Sequence, residues 1–173
     1  MDRHAIIAIG ANLGDPVATV QTAFHLLQRF STEPVVASSL WRSDPVDCPP
    51  GSPPFINAVA AIVPPAAMTP ELLLGELQRL ELEAGRQPKK VLNEARPLDL
   101  DLIVFRCETR QSPALALPHP RAQLRRFVLA PLEEIAPGLV LPGQALCVRA
   151  LLTALEETPD GQQASVIPVA SDQ

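Results

Sequence analysis

Aromatic residues are scarce in this chain of 173 residues. It has no tyrosine, one tryptophan at position 41, and five phenylalanines. A flat ligand stacked on this protein would therefore have to rest mainly on phenylalanine rings. The net charge at pH 7 is −5. This disfavours a nucleic-acid-binding domain, because such domains are usually basic.

Long apolar runs and paired cysteines are also lacking. The apolar run in the opening MDRHAIIAIG is far too short for a signal peptide, and Pro64 and Pro65 break the longest apolar segment, 58–68. We therefore expect no transmembrane helix. Three cysteines are present, Cys48, Cys107 and Cys147. Their odd number and spacing predict reduced, buried thiols in a cytoplasmic protein.

Apolar residues make up 47 % of the chain, enough for the core of one domain. Asp15-Pro16 and Thr69-Pro70 are typical helix starts, and Gly85 is a typical helix stop. The spacing of apolar residues predicts, in chain order, strand 5–9, helix 16–30, strand 34–42, strand 55–63, helix 70–84, strand 98–105, and helices at about 121–136 and 145–157.

The predicted order β-α-β-β-α-β indicates an α+β fold: a ferredoxin-like antiparallel sheet with helices on one face, followed by C-terminal helices. The other face would be covered by the long loops after the second and fourth strands. We expect a single domain over 1–158. Residues 159–173 form a polar tail whose composition is compatible with disorder.

Two aspartates, Asp99 and Asp101, interrupt the apolar stretch RPLDLDLIVF (96–105). Strand side chains alternate, so both carboxylates point to one face, with Cα atoms about 7 Å apart, while the intervening leucines point to the core. Burying an uncompensated carboxylate is costly. A bound Mg²⁺ between the pair or separate basic partners for each would offset that cost. Both remain open from the residues alone.

Basic residues concentrate in residues 86–126, which hold nine of the 14 lysines and arginines but four acidic residues. A basic zone on an acidic protein suits a small polyanion such as a nucleotide polyphosphate. A solvated charged loop is the alternative.

Several further polar and aromatic residues are candidates for a site. Asn57 lies mid-strand, with Phe55 on the same face, and a buried amide needs partners. Gln78 and Glu81 share one side of their helix. His119 is held between two prolines, with Arg125 and Phe127 in the helix that follows.

Six fragments in this order resemble one family, the 6-hydroxymethyl-7,8-dihydropterin pyrophosphokinases of folate biosynthesis. They are AIGANLGD (8–15), SSLWRSDPV (38–46), FINAVAAI (55–62), QRLELEAGR (78–86), RPLDLDLIVF (96–105) and LPHPRAQLRRFVLAPLEEIAP (117–137). The resemblance implies a ferredoxin-like fold and Mg²⁺-dependent transfer of pyrophosphate from ATP to the pterin hydroxymethyl group, leaving AMP. It covers about residues 5–157.

The resemblance also implies roles for individual residues. Asp99 and Asp101 match ligands for two Mg²⁺ ions, and Arg86 and Arg96 match arginines that bind phosphates and assist transfer. On the nucleotide side it implies His119 and Arg125, with Gln78 and Glu81 in the same helix-end region. On the pterin side it implies a sandwich between Phe55 and Phe127, an amide contact from Asn57, and a pocket lining from Ser43 and Val46.

One departure from the family pattern lies before the aspartate strand. The family usually has tryptophan-glycine-proline-arginine there, whereas this chain has Asn93-Glu94-Ala95-Arg96. Upstream, Pro88 replaces a common arginine, with Lys89 and Lys90 beside it. A catalytically silent nucleotide- or pterin-binding homologue is therefore an alternative.

The D-x-D pair also permits a two-metal nuclease, which the acidic net charge disfavours. We expect small-molecule substrates, no nucleic acid or membrane partner, and a monomer or weak dimer.

Overall fold

A central antiparallel sheet carries the fold. The computed structural model describes residues 2–45, 48–86, 95–158 and 165–170. The strands are β1 (Ala5–Ala11), β2 (Val36–Ala37), β3 (Trp41–Ser43), β4 (Phe55–Ile62), β5 (Asp99–Phe105), β6 (Arg110–Gln111), β7 (Ala116–Leu117) and β8 (Val166–Pro168). The helices are α1 (Pro16–Leu27), α2 (Pro70–Glu83), α3 (Arg126–Ile135) and α4 (Val148–Glu156), with 3-10 turns at Gln28–Phe30 and Ala122–Leu124.

The two predicted helix starts form as the sequence indicates. The Asp15 carboxylate accepts a hydrogen bond from the Ala18 N–H at 3.0 Å, and the Thr69 hydroxyl accepts one from the Leu72 N–H at 3.2 Å. Each cap satisfies a backbone donor that the first helical turn leaves without a partner. Gly85 follows α2 at φ +93°, a conformation that glycine adopts without steric cost.

The main sheet has the strand order β5-β1-β4-β3-β8, and β2 pairs with the far end of β4. Every pairing in it is antiparallel. β6 and β7 form a separate two-stranded pair. The strand β1 therefore lies between β4 on one side and β5, which carries the aspartates, on the other.

Apolar clusters pack on both faces of the sheet. The cluster under α1 and α2 includes Ile7, Ile9, Leu27, Leu77, Leu100 and Leu102. The cluster under α3 and α4 includes Ile6, Val59, Ile103, Val128, Leu132 and Val148. The expectation that loops cover the second face is therefore wrong in this respect, because α3 and α4 pack there.

The single predicted strand 34–42 is two short strands. At the break, the Ser38 N–H donates to the Val59 carbonyl at 2.9 Å, and the Ser38 hydroxyl accepts from the Val59 N–H at 2.9 Å. A side-chain oxygen thus takes the place of a backbone partner, and the regular ladder is interrupted.

Three other expectations differ from the structure. Val166–Pro168, predicted to lie in the tail, forms strand β8, and Val166 is buried. The helix predicted from 121 begins at Arg126, because Arg125 is extended. The three cysteines are reduced thiols as expected, but none is buried: Cys107 is exposed in the turn after β5, and the other two are half-buried.

The remaining tail residues, 159–164 and 171–173, lie outside the described residues. None of the helices in the described ranges is long and apolar enough to cross a membrane.

Candidate functional site

One row of directly paired residues runs across the sheet at the end of β5. Gly10 of β1 pairs with Asp99 on one side and with Asn57 on the other. Asn57 in turn pairs with Trp41. Paired residues project from the same face of a sheet, so the Asp99 carboxylate and the Asn57 amide flank a position that has no side chain.

Gly10 forms the floor between these two polar groups. A Cβ placed there would lie 3.6 Å from Asn57 Oδ1 and 3.9 Å from both Asp99 Cβ and Phe55 Cδ1. The first predicted strand ends at residue 9, whereas in the structure β1 continues through Gly10 to Ala11. A glycine inside a strand is a known sign that another group approaches the backbone closely, and that signal would have identified it.

The Asp99 carboxylate lies between two arginines. Its Oδ1 is 2.6 Å from Arg96 Nη1 and 3.3 Å from Arg86 Nη1. The side chains are partly buried, with exposed fractions of 13 % for Arg96, 19 % for Arg86 and 26 % for Asp99. The structure thus brings the two arginines predicted to bind phosphate to an aspartate predicted to bind Mg²⁺.

Glu81 joins the end of α2 to this cluster. Its carboxylate accepts a hydrogen bond from the Leu100 N–H at 2.8 Å and forms an ion pair with Arg86. Burial raises the pKa of Glu81 to about 7 despite these two favourable contacts. One carboxylate oxygen of Glu81 contacts the β5 backbone and the other contacts Arg86. Glu81 therefore fixes the position of Arg86 relative to β5.

Gln78, predicted to act beside Glu81, is exposed on α2. Within the described parts of the chain, no hydrogen bond or ion pair links Gln78 to the arginines or to the aspartates. The two side chains therefore do not share one environment, because the helix turns Glu81 to the sheet and Gln78 to solvent.

Asp101 has its own basic neighbours. Its Oδ2 lies 3.2 Å from Arg125 Nη1 and 4.0 Å from His119 Nε2. Burial lowers the pKa of His119, with the nearby Asp101 opposing the shift and Arg125 adding to it. His119 Nδ1 accepts a hydrogen bond from the Arg121 N–H at 3.2 Å, which leaves the proton of a neutral ring on Nε2, facing Asp101.

The two carboxylates also fit a magnesium ion. The ion pairs use Asp99 Oδ1 and Asp101 Oδ2, and the second oxygen of each has no protein partner among the described residues. No group of three or more His, Cys, Asp or Glu side chains suited to a metal occurs in those same ranges. Mg²⁺ is commonly held by one or two carboxylates together with substrate phosphates and water, so two are sufficient.

A second, less charged group lies on the other side of Gly10. The Asn57 amide donates a hydrogen bond to the Ser43 hydroxyl at 2.8 Å, and both residues are buried. Phe55 pairs with Ser43 in the sheet and is half-buried. The Phe127 ring lies 5.4 Å from the Arg125 guanidinium carbon, so one arginine contacts both an aspartate and an aromatic ring.

Asn12 is a buried polar residue to which the sequence interpretation assigned no role. Its side-chain oxygen accepts from the Arg96 N–H at 2.8 Å, and its amide donates to the Pro53 carbonyl at 3.2 Å. Asn12 therefore connects the segment that carries Arg96 with the loop that precedes β4. A polar residue at the end of an apolar strand was the available signal.

The predicted pocket residue Val46 lies outside the described residues. The same is true of the residues at which the chain departs from the family pattern, Pro88, Lys89, Lys90, Asn93 and Glu94.

Comparison with known sequences identifies relatives over most of the chain. The profile of the family described as 7,8-dihydro-6-hydroxymethylpterin-pyrophosphokinase matches residues 6–137. Two curated proteins named 2-amino-4-hydroxy-6-hydroxymethyldihydropteridine pyrophosphokinase are similar over 143 residues. The Haemophilus influenzae protein is 40 % identical, covering 82 % of this chain and 87 % of its own length. The Pseudomonas aeruginosa protein is 38 % identical, covering 82 % and 86 %.

Solved structures show a similar fold at low sequence identity. An HPPK-DHPS in complex with substrates matches with a TM-score of 0.68 at 11 % identity, covering 87 % of this chain and 43 % of that one. Wild-type Plasmodium falciparum HPPK-DHPS with pterin and p-hydroxybenzoate matches with a TM-score of 0.67 at 12 % identity, covering 91 % and 44 %. This chain thus spans less than half of either structure.

Proposed function

Because this chain belongs to the 7,8-dihydro-6-hydroxymethylpterin-pyrophosphokinase family, we propose that the face around Asp99, Gly10 and Asn57 is its active site. The enzyme is an ATP-dependent pyrophosphokinase of folate biosynthesis, which transfers pyrophosphate from ATP to the hydroxymethyl group of the reduced pterin and leaves AMP. The comparisons favour this enzyme over a silent binding homologue. The observation that carries the site assignment is the sheet register, which sets a carboxylate and a buried amide on either side of a bare glycine.

The charged side of the row is the proposed site for the triphosphate. Phosphoryl transfer is accelerated mainly by positioning and by neutralising charge on phosphate oxygens. Glu81 and Asp99 hold the Arg86 guanidinium, Asp99 holds the Arg96 guanidinium, and Asn12 fixes the Arg96 backbone. Arginine forks bind phosphate oxygens in two-point contacts, and this supports a catalytic role for both.

We assign His119 and Arg125 to the nucleotide and Asp99 and Asp101 to two Mg²⁺ ions. Bound Mg²⁺ neutralises phosphate charge and orients the transferred group. Among the residues that the structure describes, the second oxygen of each carboxylate accepts no hydrogen bond, and this supports the assignment. A neutral His119 with its Nε2 proton near Asp101 is suited to donate a hydrogen bond to a nucleotide oxygen. Glu81 and Gln78 were also predicted to bind the nucleotide, and for Glu81 the observed contacts favour positioning of Arg86 instead.

The less charged side is the proposed pterin site. Asn57 presents a buried amide whose orientation is fixed by Ser43, which suits the polar edge of a heterocycle. Phe55 and Phe127 supply the rings for stacking, in a chain that has no tyrosine. Val46 stays a predicted pocket residue.

We also propose the ferredoxin-like topology for the core of the fold. The antiparallel order β5-β1-β4-β3, with α1 and α2 packed against one face, supports it. The further partners stay as predicted from the sequence: small-molecule substrates, no nucleic acid or membrane partner, and a monomer or weak dimer. A cytoplasmic location is supported by the reduced state of the three cysteines.

The test is AMP formation from ATP, Mg²⁺ and 6-hydroxymethyl-7,8-dihydropterin by the wild type, Asp99→Asn and Asp101→Asn. We expect each variant to lose more than about 100-fold in kcat, since outer-shell partners of a metal alone typically account for 10–100-fold. Each variant should also bind Mg²⁺ and a non-hydrolysable ATP analogue more weakly by calorimetry.

The matched control is Glu108→Gln, which removes a carboxylate that also pairs with an arginine, Arg110, but lies outside the site. It should keep the wild-type rate. Near-normal turnover in either aspartate variant would overturn the metal assignment.

A further inference from the structure

The C-terminal strand β8 extends the sheet beyond β3, next to the proposed pterin site. Val166 pairs with Ser43 and Pro168 pairs with Trp41. Flanking backbone hydrogen bonds close both ends: the Asp44 N–H donates to the Ser165 carbonyl at 3.2 Å, and the Val169 N–H donates to the Leu40 carbonyl at 2.8 Å. Strand β8 lies beyond residues 6–137, the part that the family profile covers.

Without β8, β3 would be a three-residue edge strand. Such a short strand has few backbone partners to fix it, and edge strands leave half of their backbone groups unpaired. Yet β3 carries Ser43, whose hydroxyl fixes the Asn57 amide at 2.8 Å. The backbone of the pocket residue Ser43 is thus held between β4 and β8.

Val166 also packs against the aromatic side of the site. Its side chain is 4 % exposed and forms a small cluster with Ala130, against which Trp41, Phe127 and Leu152 pack. The neighbouring Ile167 is 51 % exposed, as expected for alternation along a strand. One residue of the C-terminal segment therefore belongs to the apolar cluster against which Phe127 packs.

We propose that Val166 is a positioning residue for the pterin, acting through Phe127 and Ser43. This rests on the proposed assignment of those two residues to the pterin site. The Val166 side chain belongs to the apolar cluster against which Phe127 packs, and its backbone pairs with Ser43, whose hydroxyl fixes the Asn57 amide. Strand β8 lies next to β3, at the opposite edge of the main sheet from β5, which carries the two aspartates. Loss of the Val166 side chain should therefore weaken pterin binding and spare ATP.

The experiment compares full-length wild type, Val166→Ala, Val166→Ile and the matched control Ile167→Ala in the same strand. For Val166→Ala we expect KM for the pterin to rise about tenfold, because small displacements of positioning groups weaken productive binding. KM for ATP should change less than about twofold on the same reasoning. Val166→Ile keeps a β-branched apolar side chain, so its KM for the pterin should stay close to that of the wild type. Ile167→Ala should match the wild type in both KM values.

A purely structural role for Val166 would change both KM values equally or lower the melting temperature alone, and either result would overturn the inference. Should Val166→Ala not fold, Val166→Cys serves for the same comparison, because it also removes part of the packed side chain and leaves the position apolar. Phe127→Ala distinguishes a failure of the pterin-site assignment from a failure of the inference on Val166. If it leaves pterin affinity unchanged, the site assignment fails. If it weakens pterin binding while Val166→Ala does not, the inference on β8 alone fails.

Discussion

At the residue scale, the site depends on polar groups whose directions are fixed by other buried polar groups. The Asn57 amide is fixed by Ser43, and the Arg96 backbone is fixed by Asn12. Buried polar groups of this kind are costly when a partner is lost, so each supports the position of the other. The conformational freedom of the site is reduced before any substrate binds.

Gly10→Ala tests whether ligand binding requires the absence of a side chain at this position. The added methyl group would lie at ordinary contact distance from Asn57 and Phe55, so the fold should tolerate it, but it would occupy the space proposed for the pterin. We expect pterin affinity to fall on the order of ten- to a hundredfold, with the melting temperature nearly unchanged.

The matched control for this change is Gly75→Ala, in α2, where nothing lies within 4 Å of the added Cβ. It should keep full affinity and gain up to about 1 kcal/mol of stability, since alanine favours helices over glycine. Wild-type pterin affinity in Gly10→Ala, measured by calorimetry, would show that the ligand does not approach this strand.

Glu81 should make stability fall as pH rises. Burial raises its folded-state pKa from the usual 4.5 to about 7, so the folded protein holds this proton more tightly than the unfolded chain does. The resulting stabilisation is complete below pH 4.5 and is lost as pH rises to about 7. Relative to Glu81→Gln, the free energy of unfolding of the wild type should fall by roughly 3 kcal/mol across this window.

Urea denaturation of both proteins at pH 5 and pH 8 measures this difference. A constant difference between the two proteins at the two pH values would contradict the raised pKa of Glu81. The comparison with Glu81→Gln is needed because other titrating groups change the stability of both proteins alike.

At the element scale, the position of α3 relative to β3 decides whether Phe127 and Ser43 belong to one site. Glu134 of α3 makes this connection: its two carboxylate oxygens accept hydrogen bonds from the Trp41 indole N–H and from the Ser39 N–H, both at 2.7 Å. Strand β8 completes the arrangement, because Val166 packs against Trp41 and Phe127 together. Helix and strand are therefore linked by a polar contact and an apolar one.

Glu134→Ala should loosen this link between α3 and β3. We expect a loss of about 1–2 kcal/mol in the free energy of unfolding, since two hydrogen bonds to a charged but exposed group are removed. Trp41 is the single tryptophan of the chain, so its emission should shift to the red as its indole loses a partner.

The control is Glu133→Ala, next to it on α3, which pairs with the exposed Arg149 at 2.9 Å. An exposed pair of this kind contributes about 0–1 kcal/mol, so Glu133→Ala should leave the emission unchanged. Equal effects of the two substitutions would show that Glu134 has no special part in docking α3.

At the scale of the whole molecule, one sheet serves two apolar clusters. Ile6 and Ile7 are neighbours in β1, yet they belong to opposite clusters, under α3 with α4 and under α1 with α2. Residues of the sheet therefore form part of both clusters. The single domain predicted from the chain length is consistent with this arrangement and stays a prediction.

We expect one cooperative unfolding transition. Trp41 fluorescence monitors the α3 face, and far-UV circular dichroism monitors all helices, so their midpoints in urea should coincide. Two separated midpoints would mean that the two faces unfold independently.

Local sequence signals determined much of this protein. The caps at Asp15 and Thr69, the alternation of aspartates and leucines in β5, and the concentration of basic residues follow from neighbours along the chain. These features depend on helix and strand periodicity and on short-range hydrogen bonds, which a sequence displays directly. Motif resemblance added the family and the reaction.

Only the tertiary structure decided which residues and helices contact one another across the sheet. It placed Gly10 between Asp99 and Asn57, joined Glu81 of α2 to the Leu100 backbone of β5, packed α3 and α4 on the second face, and placed Val166 in the cluster against which Phe127 packs. These contacts join residues far apart in sequence, and strand register and helix docking select them through the burial of the whole core. No local pattern in the chain encodes that choice.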